Sequence, residues 1–167
     1  MSLQHSHEST PFTKKKNNLV LLCDGVSGPA NIGSLFRLCD AFGVKEILFC
    51  NAEIDLSSPR LKKTARNTET RVPFRCMDAT EKLLEDHKAV GYIAVGLEIT
   101  SESIPIQGLG VPQDANILLV IGSEQHGISE SVLAALECTV HIEMFGSNSS
   151  MNVAQAAGIA LFELTKS

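Results

Sequence analysis

Apolar residues in this chain fall either in short unbroken runs or in stripes of helical spacing, and the two kinds alternate. The run Leu19-Val20-Leu21-Leu22-Cys23 before Asp24 predicts a buried strand. Gly25 and Gly28-Pro29 punctuate a loop. Asn31 is a good helix N-cap, and Ile32, Leu35, Phe36 and Cys39 then repeat at i, i+3, i+4, i+7 until Gly43. Residues 44–50 read as a second strand. Ser58 caps a basic helix with Pro59 in its first turn. Asp78-Ala79-Thr80-Glu81 has the capping-box form and opens a helix to about His87. Residues 89–95, 116–121 and 139–142 read as three more strands. Ser129 caps a short helix between the last two, and a final helix runs over about 151–164. The polar residues 1–18 are expected to be a disordered tail, and 19–167 a single domain.

Short strands that are apolar throughout, interleaved with helices, predict an α/β fold: a mostly parallel sheet with helices on both faces. Ligands in such sheets bind at the carboxyl ends of the strands. Three loops predicted there, 25–33, 122–127 and 146–152, are rich in Gly, Asn and Ser. The final helix has almost no polar side: Met151, Val153, Ala154, Ala156, Ala157, Ile159, Ala160, Leu161 and Phe162 leave only Gln155 and Glu163. Such a helix must be covered all round. One side is expected on the sheet and another on a second subunit, giving a homodimer.

Composition narrows the class. A chain of 167 residues buries about 70% of its unfolded surface and needs no disulfide or metal to hold a core. Its five cysteines (Cys23, Cys39, Cys50, Cys76, Cys138) include no CxxC pair and read as small core hydrophobes in a reducing compartment. No zinc constellation is present, and His5 and His7 lie in the polar tail. No apolar run approaches the ~20 residues of a membrane span, so a cytoplasmic protein without metal is expected. The net charge of −5 argues against a general nucleic-acid coat. Yet residues 1–89 hold 13 Lys/Arg against 11 Asp/Glu, and 90–167 hold one Lys against eight acids. Within 60–75, Arg60, Lys62, Lys63, Arg66, Arg71 and Arg75 face only Glu69. That cluster is either a solvated face or a phosphate-binding patch, and composition does not decide between them.

Three motifs carry the chemistry. The first is Pro29-Ala30-Asn31-Ile32-Gly33-Ser34-Leu35-Phe36-Arg37, in which Asn31 and Arg37 lie off the apolar stripe. The second is Ile121-Gly122-Ser123-Glu124-Gln125-His126-Gly127, a strand end delivering glycines and a buried Glu124 into a tight turn. It is neither GxGxxG nor a P-loop, which counts against a nucleotide-cofactor oxidoreductase. The third is Ile142-Glu143-Met144-Phe145-Gly146-Ser147-Asn148-Ser149-Ser150-Met151-Asn152-Val153, a strand, a polar loop and a helix start capped by Ser150 or a neighbour.

In this order and spacing the three resemble the signature motifs of the SpoU family of RNA ribose methyltransferases (TrmH-like, within the SPOUT superfamily), over roughly residues 19–164. Two departures are Glu143 where the family usually has Pro and Met151 where it usually has Leu. The resemblance implies a C-terminal trefoil knot, S-adenosylmethionine as cofactor, a homodimer, and methylation of a ribose 2′-hydroxyl in RNA. It implies catalytic roles for Arg37, Asn31, Glu124, Ser150 and Asn152. Cofactor contacts are implied at Gly122, Ile142, Met144 and Met151, with a further wall at Gly96 and Leu97. Arg37 is expected to grip the phosphate beside the target ribose rather than act as base, because a guanidinium stays protonated in proteins. Asn31 is expected to orient Arg37 or the RNA backbone. Arg60, Lys62, Lys63, Arg66 and Arg71 become the RNA-binding patch, and tRNA is favoured over rRNA because only a short tail precedes the first strand. The competing class is a non-catalytic RNA-binding or assembly protein that keeps the fold.

Overall fold

The computed structural model describes residues 12–166 together with residues 5 and 9. His7 and the rest of the first eleven positions lie outside the described residues. The elements are β1 (Leu19–Asp24), α1 (Pro29–Ala41), β2 (Glu46–Cys50), α2 (Pro59–Ala65), β3 (Phe74–Met77), α3 (Thr80–Ala89), β4 (Tyr92–Leu97), β5 (Ile104–Pro105), β6 (Asn116–Gly122), α4 (Glu130–Ala135), β7 (Cys138–His141) and α5 (Val153–Thr165). Short 3-10 turns cover Thr68–Thr70 and Ile106–Gly108.

Seven strands form one sheet in the order β3-β2-β1-β6-β4-β7-β5, and every named pair is parallel. The period of two along each strand separates the faces. Leu19, Leu21, Cys23, Ile47, Phe49, Leu119 and Ile121 pack with α1, α2 and α5 on one side. Val20, Leu22, Leu48, Cys50, Leu118 and Val120 pack with α3 and α4 on the other. The expected α/β architecture with helices on both faces is therefore present.

Five strands were predicted and two more exist. β3 is an edge strand of mixed Phe-Arg-Cys-Met composition, mostly exposed, and β5 has two residues at the other edge. Neither is long or apolar enough to show a period. Boundaries moved as well. Asn31 is not an N-cap: Pro29 occupies the first turn with Gly28 as cap, so α1 starts a turn earlier. The capping box at Asp78 is not used, because α3 is capped at Ala79 without a side-chain hydrogen bond. Cys23, Cys39 and Cys50 are core hydrophobes as expected, but Cys76 is exposed and Cys138 only half-buried. Residues 16 and 17 are tied to the domain before Leu19: Lys16 Nζ donates to the Val44 carbonyl at 3.1 Å, and Asn17 Nδ2 to the Phe42 carbonyl at 2.7 Å.

The final helix is not covered all round by its own chain. Ala154, Ala157, Ala160 and Leu161 are buried, and Gly158 sits against Leu38 of α1. Ile159 and Phe162 remain 41% and 61% exposed.

Gly33 sets the approach of α1 to α2. A Cβ there would lie 2.0 Å from Thr64 Oγ1 and 2.4 Å from the Leu61 carbonyl oxygen. Gly33→Ala is expected to destabilise the fold by about 1–3 kcal/mol through overpacking. Urea unfolding checks this: the midpoint should fall at constant slope, and an unchanged midpoint would show that the helices can separate without cost.

Candidate functional site

All seven strands run the same way, so the segments that leave β1, β6 and β7 emerge at one edge of the sheet. These carry the three motifs. After β6 the chain turns back on itself, with Ser123 N–H donating to the Gly127 carbonyl at 3.1 Å and Gly127 N–H to the Ser123 carbonyl at 2.9 Å. Gly122 allows this: a Cβ would lie 2.0 Å from the Gly127 carbonyl carbon and 2.1 Å from the Ile128 nitrogen. Gly127 adopts φ +67°, a conformation that favours glycine.

The motifs are linked by side chains. Asn31 donates through Nδ2 to Glu124 Oε1, and Asn152 donates through Nδ2 to Asn31 Oδ1 at 3.0 Å. Asn152 is itself the N-cap of α5, its Oδ1 accepting from the N–H groups of Ala154 at 3.0 Å and Gln155 at 3.2 Å. Ser150 is therefore not the cap. Glu124, expected to be buried, is exposed and held by Asn31 instead. Asn31 bonds Glu124 and Asn152, not Arg37.

A cavity of about 370 Å³ opens at this edge. Of the residues singled out in the sequence, Leu97, Gly122, Glu124, Ile142, Met144, Ser150 and Met151 line it. Gly96 does not: it is buried in β4, where a Cβ would lie 2.4 Å from Leu136 Cδ1. Its smallness serves the packing of the segment after α4, and Leu97 supplies the wall. Glu143 is exposed and intrudes on nothing. The size suits a ligand of nucleoside scale. Its glycine-lined turn brings backbone within reach of such a ligand, beside apolar walls from Ile121, Ile142 and Met144. These residues fit an adenosyl thioether.

A second, open cavity shares Met151 with the first. Arg37, Lys63, Arg66 and Asn152 line it beside the apolar Leu38, Ile159 and Phe162. Arg37 is exposed, with no hydrogen bond or ion pair to any described residue. Part of the basic cluster thus joins Arg37, while Arg60, Lys62 and Arg71 are exposed outside that cavity. Arg75 is neutralised by Glu46, its Nε and Nη2 donating at 2.7 and 3.1 Å. Lys15 and Lys16 lie near Gly43 and Val44, at the amino ends of the strands and away from this site.

Three functional features escaped the sequence reading. Asp24, 4% exposed at the end of β1, accepts from Asn51 Nδ2 at 2.8 Å and from the Ser129 N–H and hydroxyl at 3.0 and 2.8 Å. Thr80 Oγ1 also reaches it at 3.3 Å. It fastens β2, α3 and the start of α4 to β1; its place at the strand end beside Gly25 was the only available signal. Glu98 and His141 line the smaller cavity, each standing next to a residue that was identified. Burial pushes the Cys23 thiol up, with Cys39, Cys50 and Glu124 adding to the effect. Burial likewise pushes Cys50 up to about 11, against a lowering hydrogen bond from Thr80. No thiolate nucleophile is available there at neutral pH. Among the described residues no group of three or more His, Cys, Asp or Glu could hold a metal, and no helix is long and apolar enough to cross a membrane.

Comparison with known proteins adds the family. The model of the SpoU rRNA Methylase family matches residues 18–162. A 23S rRNA (guanosine-2'-O-)-methyltransferase of Blochmanniella floridana is 32% identical over 158 residues, covering 93% of this chain and 61% of the relative. The chain thus spans about three fifths of that curated protein. Among solved structures, the TrmH/SpoU tRNA modifying enzyme of A. aeolicus superposes with a TM-score of 0.79 at 25% identity, covering 91% of this chain and 76% of that one. The SpoU methyltransferase AviRb of Streptomyces viridochromogenes, in complex with the cofactor AdoMet, gives 0.77 at 25% identity, covering 96% and 60%.

Asn152 has two separable functions, capping α5 and donating to Asn31. Asn152→Ala loses both the cap and the link to Asn31, whereas Asn152→Asp keeps the capping acceptor and loses only the link, so the Ala variant should be the less stable of the two by about 1 kcal/mol. Urea midpoints of the two variants check this, and equal losses would show that the cap contributes nothing.

Proposed function

This chain belongs to the SpoU rRNA methylase family, and we propose that it is an S-adenosylmethionine-dependent RNA methyltransferase acting on a ribose 2′-hydroxyl as a homodimer. The observation that carries this is the shared wall at Met151. A nucleoside-sized cavity and a cavity holding Arg37, Lys63 and Arg66 both reach it. An inert binder has no use for the first of these. Leu97, Gly122, Ile142, Met144 and Met151 would hold the cofactor, which supplies an electrophilic methyl on a sulfonium.

The protein's own residues handle the RNA. Arg37, Lys63 and Arg66 offer three cations to the phosphates flanking the target ribose. Arg37, fixed as a cation, stabilises negative charge developing on the 2′-oxygen; a phosphate oxygen or water accepts the proton. Asn31, Glu124 and Asn152 keep the first, second and third motifs in register, and Ser150 lines the cofactor side. Arg60, Lys62 and Arg71 extend the basic surface outward. The knot implied by the resemblance belongs to this reading, supported by the likeness to the A. aeolicus structure.

The RNA is taken to be tRNA, supported by the name of that A. aeolicus enzyme. An rRNA substrate is the second reading, favoured by the name of the Blochmanniella relative. The dimer is supported by the exposed Ile159 and Phe162, which continue the apolar face of α5 outward from α1. A reducing cytoplasm suits the five free cysteines.

Methyl transfer from labelled S-adenosylmethionine to unmodified tRNA and to 23S rRNA tests the reaction. Arg37→Ala should lower transfer by about 100-fold or more while cofactor affinity stays within about twofold. Loss of cofactor affinity would move Arg37 to another role, and transfer to rRNA alone would select the second reading. Phe162→Glu tests the assembly: light scattering should show a monomer in place of a dimer, and an unchanged mass would place the interface elsewhere.

A further inference from the structure

Two side chains in the smaller cavity have acceptor positions fixed by the protein and no role in the three motifs. Glu98 immediately follows β4, and His141 ends β7. Leu97 pairs with Val140, and Glu98 N–H donates to the Val140 carbonyl at 2.9 Å. The next residues in that register are Glu98 and His141, neighbours about 5 Å apart across the strands. Both line the cavity and both are half-buried.

Hydrogen-bond accounting fixes what each presents. Ser103 Oγ donates its single proton to the Thr100 carbonyl at 2.9 Å and accepts from the Thr100 N–H at 3.0 Å. In that arrangement it receives a hydrogen bond from His141 Nδ1, 2.9 Å away. With Ser103 so engaged, the tautomer that carries its proton on Nδ1 donates to Ser103 and presents Nε2 as an acceptor. Nothing among the described residues donates to Nε2. Glu98 is held equally firmly. Oε1 accepts from the Ile99 N–H at 3.0 Å and Oε2 from the Ile128 N–H at 3.1 Å. Gly127 makes room for it, since a Cβ there would lie 2.4 Å from Oε2. Each carboxylate oxygen keeps a further lone pair.

A wall of two oriented acceptors, one of them anionic, calls for a ligand with two adjacent donors and no negative charge at that end. A ribose 2′,3′-diol meets this requirement; a carboxylate, such as the far end of a methionine group, does not. We propose that Glu98 and His141 together read the ribose diol of the adenosine moiety bound in this cavity. Acidic side chains take the same role toward ribose hydroxyls in unrelated dinucleotide sites. The proposal rests on the methyltransferase reading for the identity of the ligand and adds which of its groups the protein discriminates. Ser103 is a positioning residue: it touches no ligand and sets which ring nitrogen is the acceptor.

The test is calorimetric binding of 5′-methylthioadenosine and its 2′-deoxy and 3′-deoxy counterparts to the full chain. The wild type should bind the ribonucleoside about five- to tenfold more tightly than at least one deoxy form, as expected for one net hydrogen bond. His141→Phe should abolish one such preference while binding that deoxy form as the wild type does. His141→Gln, whose amide oxygen reaches the Nε2 position, should restore it. Ser103→Ala, which spares the ring, should weaken the preference in part and serves if the Phe variant does not fold. A packing role would change all three affinities together and leave their ratios unmoved. Equal wild-type affinity for all three nucleosides, or an unchanged ratio in His141→Phe, overturns the proposal. Failure of the wild type to bind either methylthioadenosine or S-adenosylmethionine overturns the methyltransferase reading beneath it.

Discussion

The site depends on one amide. Asn31 accepts from Asn152 and donates to Glu124, joining segments 121 and 93 residues away along the chain. An amide suits this position because it is both donor and acceptor in one planar group. Aspartate there would accept twice and face Glu124 with a like charge. The link also reaches into secondary structure, since the Asn152 carbonyl that caps α5 belongs to the same side chain that holds Asn31. Loop order and helix initiation are therefore coupled: displacing the third motif leaves the first turn of α5 without its cap.

That amide can act only because the backbone brings the loops to one edge. The parallel sheet does so, and close backbone approach at Gly122 folds the second motif tightly enough for Glu124 to reach α1. On the opposite face Asp24 performs a comparable task with a buried carboxylate. It has no cation partner among the described residues and is satisfied by amide, hydroxyl and backbone donors. A buried charge unpaired by a cation is tolerable only with such a set. The fastening at Asp24 anchors α3 and α4, while the one at Asn31 organises the cavities. The two do different work with the same economy of a single side chain serving several segments.

The central strands and the chemistry-bearing loops were legible in the sequence for physical reasons. A strand buried on both faces has to be apolar throughout, and a backbone that must pass within van der Waals contact of another has to be glycine, as at Gly122. What could not be read follows from the same reasons. β3 and β5 are edges, half-solvated or only two residues long, and impose no period on their residues. Asn31 carries the composition of a cap, but a proline two residues earlier takes the helix start and frees the side chain for the site. Glu98 and His141 belong to no motif. Their positions depend on the pairing of β4 with β7, a contact spanning some forty residues that local pattern does not reveal. Gly96 shows the converse: its neighbour Leu97 reaches the cavity, but alternation along β4 turns position 96 toward Leu136.

The fold decides which of the basic residues act together. Charges more than a Debye length apart, about 8 Å in physiological salt, are largely screened from one another, so the net charge of −5 weighs little against a polyanion at contact. Inside that length only local groups count, and there Arg37, Lys63 and Arg66 converge on one cavity while Arg75 is withdrawn from the set by Glu46. Of the basic run in the sequence, only part is therefore directed at the cavity. Such an arrangement favours a polyanion that fits the cavity over one that merely lies nearby. The acidic remainder, one Lys against eight acids over residues 90–167, offers a polyanion no competing basic surface.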